Sequence, residues 1–130
     1  MPQLAPSPAD YKAEVLRCID GDTLEVQAVI FESRPFTNMV KFRLRLLGIN
    51  APEMKGASHI AGEAARLYLD SLVQQCTGGL LVRMHPIVDS FGRVVGELIG
   101  RMDDEHGGSE VINLGQRMLA TGHAREYRAD

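Results

Sequence analysis

The sequence predicts a small β-rich α+β fold, a five-stranded barrel with two helices in the order β-β-β-α-β-β-α. Three observations predict it. Apolar and polar residues alternate in five short segments, apolar residues recur at helical spacing in two others, and clusters of Gly, Pro, Asp and Asn separate them. The chain has 130 residues, enough for one domain with a real core. Residues 1–10, with prolines at 2, 6 and 8, read as a flexible leader and residues 11–130 as a single domain.

Each element has its own warrant. Residues 11–19 read as a strand whose apolar phase changes near Val15 and Leu16, the mark of a bulge. Asp20-Gly21-Asp22 is a turn signal, and residues 23–31 alternate again. Residues 32–39, with Pro35 and Asn38, read as a loop. In residues 40–46, Val40, Phe42, Leu44 and Leu46 face one side and Lys41, Arg43 and Arg45 the other, so a half-buried strand with a cationic outer face is expected. Residues 60–76 form a helix whose apolar positions are Ile60, Ala64, Ala65, Tyr68, Leu69, Leu72, Val73 and Cys76; Gly78 and Gly79 stop it. Residues 80–85 and 94–101 read as strands, 102–110 as an acidic, Gly-rich loop, and 111–121 as a short helix closed by Gly122. Short strands with a helix after the third are the pattern of a small, partly open barrel of the oligonucleotide-binding (OB) type.

Composition narrows the function classes. Hydrophobic residues make up 45% and charged residues 24%, which excludes a disordered or fibrous chain. No apolar run approaches the ~18 residues of a membrane span, and the N-terminus lacks the basic and apolar regions of a signal peptide. A cytoplasmic, membrane-free protein is expected. Cys18 and Cys76 make neither a disulfide framework nor a metal knuckle and are expected as buried thiols. His59, His85, His106 and His123 show no zinc spacing.

The formal net charge is -3, which by itself argues against a polybasic nucleic-acid binder. The charge is unevenly spread, however. Residues 1–39 hold three basic and six acidic groups, residues 40–101 eight and five, and residues 102–130 three and six. Eleven of the fourteen basic residues are Arg, whose planar fork suits phosphate oxygens.

Three clusters at strand ends carry the chemistry. In Asp20-Gly21-Asp22-Thr23, two carboxylates in one turn can present oxygens to a hard cation; the alternative is an ordinary hairpin turn. In Arg45-Leu46-Leu47-Gly48-Ile49-Asn50-Ala51-Pro52-Glu53, a stiff loop can hold a carboxylate beside an Arg, as a general base beside a bound anion; the alternative is an exposed Arg–Glu ion pair. In Asp89-Ser90-Phe91-Gly92-Arg93, a tight turn exposes an aromatic ring next to an Arg; the alternative is a hairpin with a solvated Arg.

In this order and spacing the three clusters, with Asn113 leading to Gly122-His123-Ala124, resemble the thermonuclease (staphylococcal-nuclease-like) family over about residues 11–128. Gly62-Glu63-Ala64 is similar to the start of that family's first helix. The resemblance implies an OB-fold barrel that hydrolyses DNA or RNA phosphodiesters, typically with Ca2+, and a monomer. It implies that Asp22, Asn50 and, through its backbone carbonyl, Ala51 are metal ligands. Arg45 and Arg93 would then clamp the scissile phosphate and Glu53 would orient or deprotonate the attacking water. Phe91 stands at a nucleic-acid-stacking position. Tyr127 stands near the C-terminal stacking position, which Arg128 is the other candidate to fill.

The chain departs from the family pattern at several points. Asn50 replaces an Asp, so one negative charge is lost and weaker metal binding is expected. Ala51 and Ser90 replace Thr and Lys of the staphylococcal type, and Phe91 replaces Tyr. The rival reading is a non-catalytic OB-fold module that binds single-stranded nucleic acid or a protein partner.

Overall fold

The structure, a computed structural model, describes residues 9–33 and 36–127. Strands β1 (Ala9–Asp20), β2 (Thr23–Ser33) and β3 (Phe36–Leu46) form an antiparallel meander. Then come the two-residue β4 (Ile49–Asn50) and helix α1 (His59–Gln75). Strands β5 (Leu80–Val88), β6 (Val94–Asp103) and β7 (Ser109–Asn113) follow, then helix α2 (Leu114–Ala120) and the two-residue β8 (Arg125–Glu126).

The main sheet runs β3-β2-β1-β5-β6-β7, and β3 also pairs with β6 in parallel at Leu44↔Val94, Arg45↔Val95 and Leu46↔Gly96. That pairing closes β1, β2, β3, β6 and β5 into a five-stranded mixed barrel, a small β-rich α+β domain consistent with an OB fold. The barrel is closed rather than partly open, because three residues of β3 find a partner some fifty positions away that no local pattern announces.

The strand phases explain the interior. Leu24, Val26, Ala28, Leu44, Leu46, Val82 and Leu98 are fully or almost fully buried. Each buried Leu or Val contributes about 1.5–3 kcal/mol relative to exposure. The phase change in β1 is a bulge: the β1–β2 register shifts between Val15 and Arg17, and Leu16 turns outward. A second shift between Cys18 and Asp20 re-aims the end of β1, next to the turn at Asp22.

Several boundaries differ from the sequence pattern. Residues 1–8 of the expected leader lie outside the described residues, while Ala9 and Asp10 already belong to β1. Much of the stretch 32–39, read as a loop, is hairpin ladder with Glu32↔Thr37 and Ser33↔Phe36 paired. Backbone pairing there needs no apolar alternation, which is why the pattern missed it. The acidic stretch 102–110 is likewise a hairpin. β6 runs to Asp103, and Asp104 Oδ1 accepts the N–H groups of His106 and Gly108 at 2.8 Å each to form the turn into β7. Residues 111–113 therefore end a strand, and α2 starts only after Asn113, whose side chain caps Gln116 N–H at 3.1 Å.

Helix α1 buries Gly62, Ala65, Leu69 and Leu72 against the barrel. Ile60, placed on the apolar face by its spacing, is 83% exposed, and Ala64 is exposed too. Both cysteines are free and buried, as expected. Burial, with a smaller contribution from Asp70, pushes the Cys18 thiol up to about 12. Among the described residues no helix is long and apolar enough to cross a membrane.

The two faces of α1 predict opposite outcomes. Leu69→Ala should destabilise the protein by about 2–5 kcal/mol in urea unfolding. Ile60→Ser should change stability by less than about 0.5 kcal/mol. Equal losses would show that α1 docks in another rotation.

Candidate active site

One end of the barrel gathers the three clusters. The β1–β2 turn, the β3 end with the loop through Glu53, the β5–β6 connection and Tyr127 line one cleft of about 750 Å³.

Asp22 is the centre of this arrangement. It is only 7% exposed, and both carboxylate oxygens are engaged. Oδ1 accepts the Thr23 hydroxyl at 3.0 Å, and Oδ2 accepts the Ala51 N–H at 2.8 Å and lies 3.6 Å from Arg45 Nη1. The approach of turn to loop needs a residue without a side chain at position 21. A Cβ on Gly21 would lie 2.7 Å from the Cβ atoms of both Ala51 and Ala65. Asp20 shares the turn: its Oδ1 accepts the Asp22 N–H at 3.0 Å. Burial, then the hydrogen bond to Asp22 and that residue's negative charge, push the Asp20 carboxyl up to about 6.

Arg45 sits on the outer face of β3, as the alternation implies, yet its side chain is only 12% exposed. The loop that follows β3 folds back over it. Its guanidinium donates to Leu46 O at 3.1 Å and Asn50 Oδ1 at 3.4 Å, and lies 5.6 Å from the centre of the Tyr127 ring. Arg93 is not a solvated hairpin residue either. Its Nε donates to Asp89 Oδ2 at 2.7 Å and its Nη1 to Thr23 Oγ1 at 3.2 Å, while Phe91 covers the guanidinium at 5.1 Å. Burial works against ionisation of Asp89. The backbone N–H groups of Arg93 and Phe91 and the Arg93 side chain outweigh it and hold the carboxyl below its usual range.

Glu53 lies on the same cleft, exposed and facing solvent, with no side-chain partner among the described residues. Its backbone is tightly held. Ser58 Oγ donates to Glu53 O at 2.7 Å, and His59 Nδ1 lies 2.8 Å from Met54 O. Gly62 of α1 packs so closely on this segment that an added Cβ would collide with Glu53 O, 2.7 Å from Glu53 C and 2.9 Å from Met54 N.

The structure thus brings together Asp22, Arg45, Asn50, Ala51, Glu53, Phe91, Arg93 and Tyr127. Arg128 lies outside the described residues. No Arg45–Glu53 pair forms; Arg45 takes Asp22 instead. Thr23 and Asp89, which both orient Arg93, stood inside the motifs but were given no role of their own. Gly62 and Ser58, which position Glu53, gave no signal that spacing alone could isolate. Among the described residues no three His, Cys, Asp or Glu side chains cluster around a common metal position. Asp20 and Asp22 on the turn, with Asn50 on the loop lining the same cleft, contribute two carboxylates and one amide.

No protein-family model matches the sequence. Two known proteins do. Micrococcal nuclease of Shigella flexneri is 29% identical over 123 residues, covering 95% of this chain and 62% of that protein. The chain is thus similar to a thermonuclease along nearly its whole length. Protein ParB of Escherichia coli is 31% identical over 129 residues, again 95% of this chain and 62% of the relative. The chain spans somewhat less than two-thirds of the length of the relatives it matches.

The Gly62 contact yields a prediction with an unusual sign. A Gly→Ala change inside a helix ordinarily stabilises by about 0.5–1 kcal/mol. Gly62→Ala should instead cost about 1–3 kcal/mol in urea unfolding, because the Glu53 backbone must move. A gain in stability would mean that the helix and the loop are not in contact.

Proposed function

We propose that the chain is a phosphodiesterase that hydrolyses DNA or RNA with the help of a divalent cation, calcium by chemistry. The carrying observation is that Arg45, Arg93 and the unpartnered Glu53 open onto one cleft beside Asp20 and Asp22. Arg45 and Arg93 take the non-bridging oxygens of the phosphate. Both are pre-oriented by carboxylates, so little reorganisation is needed when a phosphate arrives. Glu53 orients a water molecule or takes its proton. The water oxygen bonds to phosphorus, the phosphorus–oxygen bond to the leaving group breaks, and the leaving oxygen picks up a proton from solvent. Phe91 and Tyr127, 81% and 51% exposed, offer faces on which bases stack; Arg128 is assigned to the same role from the sequence. The cleft needs no second copy, consistent with a monomer.

The donor set fits a hard cation. Asp22 with Asp20, the Asn50 amide oxygen and the Ala51 carbonyl are all oxygen donors, which Ca2+ accepts in irregular numbers. Such a cation supplies positive charge beside the phosphate oxygens. Two carboxylates with a neutral amide support weak binding. One observation favours the rival reading of a non-catalytic module binding single-stranded nucleic acid: Asp22 already has a hydrogen bond on each oxygen and a cationic neighbour.

A nuclease assay on single-stranded DNA and RNA, with calcium and with chelator, separates the two. Cleavage should require the cation and fall about 10²–10³-fold in Arg45→Ala and in Arg93→Ala. It should fall by orders of magnitude in Glu53→Ala as well. Asn50→Asp should lower the calcium concentration for half-maximal activity. Tight DNA binding without cleavage in millimolar calcium would establish the non-catalytic reading.

A further inference from the structure

A second groove, of about 520 Å³, shares Asn50, Ala51, Pro52 and Glu53 with the cleft and is otherwise walled chiefly by His123 and Arg125. We propose that this groove holds the polynucleotide strand next to the cleaved linkage, with Arg125 binding a flanking phosphate. The inference rests on the phosphodiesterase reading and deepens it by assigning the path of the strand beyond the cleaved linkage and the residue that holds it there.

Continuity is the first argument. Glu53 lines both spaces, so a strand with its reacting phosphate beside Glu53 has the second groove as an adjoining path. Charge is the second. Arg45 and Arg93 are each matched by a carboxylate, but Arg125 is exposed and its guanidinium has no carboxylate partner among the described residues. Glu53 is the one acidic side chain among the residues lining the groove. An exposed guanidinium in such surroundings is a phosphate contact waiting for its anion.

Fixed position is the third argument. Arg125 pairs with Asn50 in the β4–β8 ladder, so its backbone is in register with the loop that carries Glu53. The Tyr127 N–H, two residues on, donates to Gly48 O at 2.9 Å. One short segment therefore delivers Tyr127 to the cleft and Arg125 to the groove. The remaining wall is rigid: the His123 ring stacks on Tyr68 at 3.9 Å, and its Nδ1 pairs with Thr121 Oγ1 at 2.8 Å.

The test is equilibrium binding of fluorescein-labelled, phosphorothioate-linked thymidine octamer and dimer, in calcium, across a salt series. Arg125→Ala should weaken the octamer about fivefold, the size of one exposed ion pair. The octamer's preference over the dimer should shrink by the same factor. The slope of log K against log salt should fall by about 0.7, the value for one single-strand phosphate contact. Arg125→Lys should keep the slope. Octamer affinity and slope unchanged in Arg125→Ala, with Arg45→Ala still weakening both ligands, would overturn the groove proposal alone. A wild-type protein that binds neither ligand would overturn the phosphodiesterase reading and this proposal together.

Discussion

A buried carboxylate must find partners or lose its charge, and Asp22 finds three kinds. Its oxygens accept a hydroxyl from β2 and a backbone N–H from the loop after β4, and face the guanidinium of β3. Its own carbonyl accepts the Leu46 N–H at 2.9 Å. One residue thus ties the first turn of the chain to the end of β3 and to the loop bearing Glu53. The residues that permit this are small: Gly21, Ala51 and Ala65 meet where any larger side chain would hold the turn away. The geometry of the whole cleft follows from satisfying this anion.

The same constraint sets the electrostatics. Arg45 and Arg93 are both held by carboxylates, which aim the forks and also cancel part of their charge. The cleft is therefore a set of oriented donors rather than a broad positive field. That reconciles a net charge of -3 with the anionic ligand proposed for it. Attraction is local and short-ranged, and long-range steering of a polyanion is not a property this surface offers.

Much of this was legible in the residues. The bulge at Leu16 showed as a break in phase, α1 as a helical period ended by two glycines, and the three clusters as turn chemistry in a recognisable order. What stayed hidden depends on partners far away in the chain. The three-residue parallel closure of β3 on β6 and the two-residue ladder of β4 with β8 are too short to leave a period. The hairpin ladder across residues 31–38 is set by backbone pairing, without the apolar alternation that marks a strand. Ile60 has helical spacing but falls on the solvent side, since spacing fixes a face only to within about one residue's rotation. The burial of Arg45 could not be read from β3 at all: alternation put it outside, and the loop that covers it comes later in the chain.

The β4–β8 ladder also bears on biosynthesis. The cleft takes Asp22 from near the start of the described chain and Tyr127 from its end. A ribosome adds residues at about 5–20 per second, so the first half of the site exists as nascent chain for seconds before its last wall emerges. During that interval the barrel can begin to collapse, but Arg45 lacks the Tyr127 ring that covers it and Asn50 lacks its strand partner. The order of synthesis therefore keeps the cleft incomplete until nearly the whole domain has been made.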